Sequence, residues 1–123
     1  MTMQTRQLVA MISVTDMERS LAFYQRLGFE VGNTFVPAGA TGPSWAWLRS
    51  GEAQLMLSKA SEPIVATQKN FLFYVYTDDV DTAHAELAEA ALNPSEITKP
   101  FYNPDGEFRL LDPDGYVLMI THT

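Results

Sequence analysis

The chain has 123 residues, 46% of them hydrophobic and 19% charged, which suits one domain with a real core and leaves no room for a second of ordinary size. It contains no cysteine, and this removes disulfide frameworks, thiolate zinc sites, iron–sulfur clusters and cysteine nucleophiles together. Fifteen acidic residues against eight basic ones give a net charge of −7, which repels phosphate backbones, argues against a nucleic-acid partner and suits cationic small molecules.

The polar start (Thr2, Gln4, Thr5, Arg6, Gln7) has no signal-peptide core, and no apolar run is long enough to cross a bilayer. The expectation is a soluble, cytoplasmic protein with no membrane partner. A strand is predicted over Leu8 to Val14, then a helix opened by Asp16 and running through Leu27, with Gly28 as its left-handed stop. Met17, Leu21, Tyr24 and Leu27 recur at helical spacing and form its buried stripe. A loop from Pro37 to Pro43 leads to a strand carrying Trp45 and Trp47, and another strand holds Leu55-Met56-Leu57. Ser58 to Lys69, with Pro63, reads as a linker inside the domain.

The same order then returns. A strand over Phe71 to Tyr76 enters a helix capped by Asp79 and expected through Leu92, with Val80, Ala83, Leu87 and Ala90/Ala91 on its apolar stripe. Asn103-Pro104-Asp105-Gly106 is a loop, and Asp112-Pro113-Asp114-Gly115 turns the chain into a last strand around Leu118-Met119-Ile120. Asp16 to Asp79 is an offset of 63 residues, and the same offset carries Leu55-Met56-Leu57 onto Leu118-Met119-Ile120 and Trp45 and Trp47 onto Phe108 and Leu110. The chain therefore reads as an α+β domain spanning residues 1–123, built from two tandem βαβββ modules at about 6–60 and 69–123.

Alternation assigns each strand two faces. Ala10, Ile12, Val14, Leu55, Leu57, Phe71, Phe73, Val75, Leu118 and Ile120 belong to the face covered by helices. The opposite face carries Val9, Met11 and Ser13; Gln54, Met56 and Ser58; Leu72, Tyr74 and Tyr76; and Val117, Met119 and Thr121. This mixed apolar and hydroxyl-bearing lining suits a ligand cavity, an ordinary half-buried sheet or a dimer interface. Trp45, Trp47, Phe35, Phe101, Tyr102 and Phe108 either pack in the core or wall a guest, and a cation would gain from such ring faces.

Other chemistry is thinner. His84 and His122 show no converging spacing, and His84 reads as structural or solvent-facing. No Gly-x-Ser-x-Gly elbow is present. Glu107 and Arg109 either present charge to a ligand or form a solvated outer face, the commoner arrangement for such a pair. Asp16, Glu18, Asp78, Asp79 and Asp81 are accounted for by helix capping and dipole compensation.

Val14-Thr15-Asp16, Ser20-Leu21-Ala22-Phe23-Tyr24 and Leu27-Gly28-Phe29-Glu30, followed by Thr77-Asp78-Asp79-Val80-Asp81 and Asp112-Pro113-Asp114-Gly115, resemble the markers of the vicinal oxygen chelate superfamily of glyoxalases, extradiol dioxygenases and bleomycin-resistance proteins. The resemblance implies curled mixed sheets around a cavity, usually with dimerisation completing the site. It also implies that the positions used for metal by relatives fall on Val9, Met56, Leu72 and Met119, none of which is a usual ligand of a divalent cation. The expected protein is thus of the metal-free, bleomycin-resistance-like branch associated with antibiotic resistance, a homodimer with no cofactor, no metal and no catalytic residue. It would bind a hydrophobic or aromatic small molecule, a cationic one included, through Met11, Met56, Tyr74, Tyr76 and Met119, with Trp47, Phe101 and Tyr102 as further walls. Two alternatives are a metal-dependent glyoxalase-like lyase or dioxygenase with displaced ligands, and a structural dimer whose cavity is filled by its own side chains.

Overall fold

Strand residues in the first half alternate between buried apolar positions and more open ones. The computed structural model describes residues 2–65 and 70–122. It divides into two units, Met1–Ile64 and Val65–Thr123. The part of the expected linker at 66–69, and the start of the second module at 69, lie outside the described residues.

The first unit contains β1 (Ala10–Val14), α1 (Met17–Arg26), β2 (Glu30–Phe35), β3 (Trp45–Ser50) and β4 (Ala53–Lys59). Its sheet has the order β1-β4-β3-β2, with β1 parallel to β4 and the other pairs antiparallel. Val14, Ala46, Leu48 and Leu57 are fully buried on one face, joined by Ile12 and Leu55 and by Met17, Phe23 and Tyr24 of α1. Each large side chain removed from water in this way contributes about 1.5–3 kcal/mol. The sequence reading of this core holds, while the first strand starts at Ala10 rather than Leu8.

Asp16 is extended (φ −129°, ψ 104°) and accepts the Arg19 N–H at 3.1 Å, satisfying one of the orphan donors of α1. At the other end Gly28 adopts φ +93° and donates to Gln25, while Phe29 donates to Tyr24, the paired bonds of a left-handed helix stop. The Tyr24 and Phe29 rings meet edge to face across that stop at 6.0 Å. Within β2 the register shifts between Val31 and Thr34, and at Gly32 an added Cβ would lie 3.1 Å from the Trp47 carbonyl oxygen. Glycine lets the bulged strand approach β3 there.

The second unit contains β5 (Phe73–Thr77), α2 (Val80–Glu89), β6 (Glu107–Leu111) and β7 (Val117–His122). The order is β5-β7-β6, parallel then antiparallel. Phe108, Leu110, Leu118 and Ile120 form the buried face with Val80 and Leu87 of α2. The α+β architecture with two mixed sheets is the expected one, and the sheets are not closed.

Three local expectations are corrected. The helix predicted through Leu92 stops at Glu89, because Ala91 turns left-handed (φ 61°) and the Ala91 and Leu92 N–H groups bond back to Ala88 and Leu87. The second strand of module two is reduced to an isolated bridge between Thr98 and Glu107. Pro94 and Pro100 bracket that segment, and the Ser95 hydroxyl, not a backbone carbonyl, accepts the Arg109 N–H at 2.8 Å. Finally, Met56 pairs with Trp47 but Met119 pairs with Arg109, so the third strands are offset by 62 residues rather than 63. Trp45 and Trp47 therefore correspond to Glu107 and Arg109, not to Phe108 and Leu110. The extra residue lies in the turn before β7, which Asp112 organises by accepting the Asp114 and Tyr116 N–H groups, each at 2.9 Å.

Candidate functional site

Side chains opposite each helix-covered face form the candidate binding surface, and the two units present different chemistry. In the first unit the register sets Met11, Met56 and Trp47 in one cross-strand row, with Ser13, Ser58, Trp45 and Phe35 in the next. Met11 and Phe35 are 58% exposed, and Met56 and Trp47 are half-buried. Both indoles stand on this open face, with ring centroids 6.4 Å apart. The Trp47 N–H donates to Gln54 Oε1 at 2.9 Å, and Gln7 Nε2 donates to the same oxygen at 2.8 Å, which fixes the indole. Arg49 lies 5.9 Å from the Trp47 ring centre.

Trp47, Arg49 and Gln54 also border an open hollow of about 560 Å³ with Arg6, Gln7, Gly51 and Glu52. A larger open hollow of about 900 Å³ lies between the start of α1 and the Pro37–Ser44 loop. Of the residues expected to line a ligand site, Trp47 alone borders either hollow.

In the second unit one row holds Tyr74, Met119 and Arg109, and the next holds Tyr76, Thr121 and Glu107. The Tyr74 and Tyr76 rings stack at 6.3 Å with an interplanar angle of 24° and are 56% and 62% exposed. Met119, on the central strand of this row, is buried. Asn103 Nδ2 donates to Thr121 Oγ1 at 2.6 Å. Phe101 and Tyr102 sit together on a turn, edge to face at 5.5 Å, with Phe101 almost wholly exposed and Tyr102 64% exposed.

Glu107 departs from the sequence reading. As a solvated outer-face residue it would be exposed, but it is 4% exposed, whereas Arg109 on the same strand face is exposed. The Tyr102 hydroxyl donates to the Glu107 carboxylate, whose hydrogen bond and negative charge push the Tyr102 pKa above the ordinary phenol range. The repeat contained the missed signal: with the one-residue correction Glu107 occupies the place of Trp45, on the open face.

His84 is structural: its Nε2 lies 2.8 Å from the Ser95 carbonyl oxygen, and its ring packs edge to face on Phe108 at 5.0 Å. His122 lies 4.0 Å from Asp105. Asp79 accepts the Thr82 backbone N–H at 3.0 Å and the Thr82 hydroxyl at 2.8 Å, and these bonds hold its pKa below the ordinary carboxylate range.

Of the positions that the fold family would give to a metal, Val9 is half-buried beside β1 and Met56 lies on the open face of the first unit. Leu72, 38% exposed, and Met119 belong to the second. Hydrocarbons and thioethers offer no hard donor, so this set does not fit a divalent cation. Among the described residues no group of three or more His, Cys, Asp and Glu side chains gathers elsewhere in a metal-binding arrangement.

The family model of the Glyoxalase/Bleomycin resistance protein/Dioxygenase superfamily matches residues 6–120. The chain belongs to this superfamily. Its fold is similar to that of a bleomycin-binding protein from bleomycin-producing Streptomyces verticillus, complexed with copper(II)-bleomycin, at 20% identity and TM-score 0.69 over 99% of each chain. It is also similar to TnmS3, an antibiotic binding protein from Streptomyces sp. CB03234, at 21% identity and TM-score 0.69 over 98% of each chain. FosX, a fosfomycin resistance protein from Listeria monocytogenes, matches with TM-score 0.77 at 9% identity, over 98% of this chain and 95% of its own. No curated protein sequence matches. Among the described residues no helix of this superfamily member is long and apolar enough to cross a membrane.

Proposed function

We propose that this member of the superfamily is a cytoplasmic, homodimeric binding protein that holds a hydrophobic or aromatic small molecule, a cationic one included, without a metal and without turning it over, residues 1–123 acting as one domain. The observation that carries this reading is the side-chain chemistry of the open sheet faces: Met11, Met56 and Trp47 on one, and the stacked, exposed Tyr74 and Tyr76 on the other. Thioether and ring surfaces give apolar contact area, while the phenol hydroxyls orient a guest. Phe101 and Tyr102 add exposed rings on a neighbouring turn of the second unit. The donor-poor positions Val9, Met56, Leu72 and Met119 favour sequestration over metal-assisted chemistry. Superfamily membership, shared with proteins described as binding bleomycin and other antibiotics, points the same way.

Thermal melting of chelator-treated protein against bleomycin-type glycopeptides and planar dyes tests the reading. A guest at a hundredfold its Kd stabilises the fold by about 2.7 kcal/mol, which for a chain of this size raises Tm by about 5 °C or more. Tyr74→Phe should reduce the rise for a guest that its hydroxyl orients. No rise with any compound would favour the self-filled structural dimer, and a rise that depends on an added divalent metal would favour the lyase or dioxygenase.

A further inference from the structure

Glu107 is a carboxylate on the open face of β6, in one row with Thr121 and Tyr76, and it is 4% exposed. A carboxyl group so withdrawn from water ordinarily has a basic side chain as well as hydrogen bonds for partners. Here, among the described residues, no Lys, Arg or His nitrogen lies within 4.0 Å of it. Arg109, two positions along the same strand and on the same face, forms no ion pair with it. What Glu107 has instead is the neutral hydroxyl of Tyr102. That tyrosine stands on a turn and is 64% exposed, so its ring is open to a guest while its hydroxyl reaches the carboxylate. Across Thr121 of the central strand, about 10 Å away in backbone spacing, Tyr76 ends the same row and stacks on Tyr74 of the adjoining one, so phenol faces and the carboxylate border one stretch of the open face.

We propose that Glu107, with the rings of Tyr74, Tyr76 and Tyr102, is the seat for the positively charged end of the guest, and that the guest is an organic cation with a planar apolar body. The carboxylate supplies the counter-charge, the rings supply cation–π attraction, and the apolar body extends along the row of Tyr74 and Met119. This inference rests on the proposed binding function and narrows it to one chemical class.

Calorimetric titration with 9-aminoacridine, cationic near neutral pH, and acridine, a neutral body of nearly the same shape, separates the two ideas. The wild type should prefer the cation by about tenfold or more, the scale of a partly desolvated cation–π and charge contact. Glu107→Gln, of equal volume, should bring the two affinities within about threefold, while Glu89→Gln on α2 removes one charge from the net balance and should leave the preference intact. Should Glu107→Gln fail to fold, Tyr102→Leu on the exposed turn takes its place and should reduce the preference at least about threefold. Equal binding of both compounds by the wild type overturns the cation seat while leaving a planar-guest binder standing. A preference that survives in the folded Glu107→Gln protein, or in Tyr102→Leu when that is the variant tested, also overturns it. Binding of neither compound counts against the seat together with the binding function beneath it.

Discussion

At the residue scale, carboxylates of the same kind do different work according to what their neighbours donate. Asp79 and Asp112 are held by backbone N–H groups and serve the chain itself, one at a helix start and one in a turn. Glu107 has a phenol for a partner and faces outward from the sheet. Asp79 carries a pH signature. Its folded pKa is depressed, chiefly by the Thr82 backbone N–H, so its capping contribution is present in full above the ordinary carboxylate range and disappears as the pH falls through the lowered folded value. Asp79→Asn keeps an acceptor oxygen but not the charge. Urea melts of the two proteins should differ at neutral pH, with the wild type more stable, and the gap should close in acid; a gap that is unchanged or widens there would contradict the assignment. Asp16 and Asp79 were legible in the sequence as caps because capping is local. Glu107 was not, because its partner, Tyr102, comes from a turn and its face from a register that local sequence does not fix.

At the scale of elements, the two helices end by the same hydrogen-bond pattern but with different residues at the left-handed position: Gly28 after α1 and Ala91 after α2. A side chain in that conformation costs about 1 kcal/mol relative to glycine. Ala91→Gly should therefore stabilise the protein by about 0.5–1 kcal/mol in denaturant melts, with the gain reduced by glycine's greater freedom in the unfolded chain. A loss of stability would show that Ala91 makes contacts worth more than its strain. Gly28 advertised the first stop in the sequence, whereas an alanine gave no such sign, and the second helix was expected three residues too long. The same limit explains the missing strand in the second unit. The repeat calls for a second strand between α2 and β6, yet bracketing prolines and the Ser95 hydroxyl bond leave only a bridge beside β6.

For the whole molecule, the internal repeat was the most informative feature of the sequence. It located both helices, the central strands β4 and β7 and the division of faces, because the alternation of strand residues is period-two and tolerates no slip within a strand. It misplaced the third strands by one residue, since a single insertion in the turn after β6 inverts every side chain upstream in that strand. The misplacement concealed the chemistry that distinguishes the units: an indole and thioether face on the first, and a phenol and carboxylate face on the second. Family membership accounts for the shared scaffold, while the identities of Met56, Trp47, Tyr74, Tyr76 and Glu107 carry the proposed function.

Calorimetric titration of chelator-treated protein with a planar organic cation probes that function most directly. The account predicts saturable binding without added metal, at unchanged helix content. No binding, or binding that appears only after a divalent metal is restored, would contradict a metal-free binder.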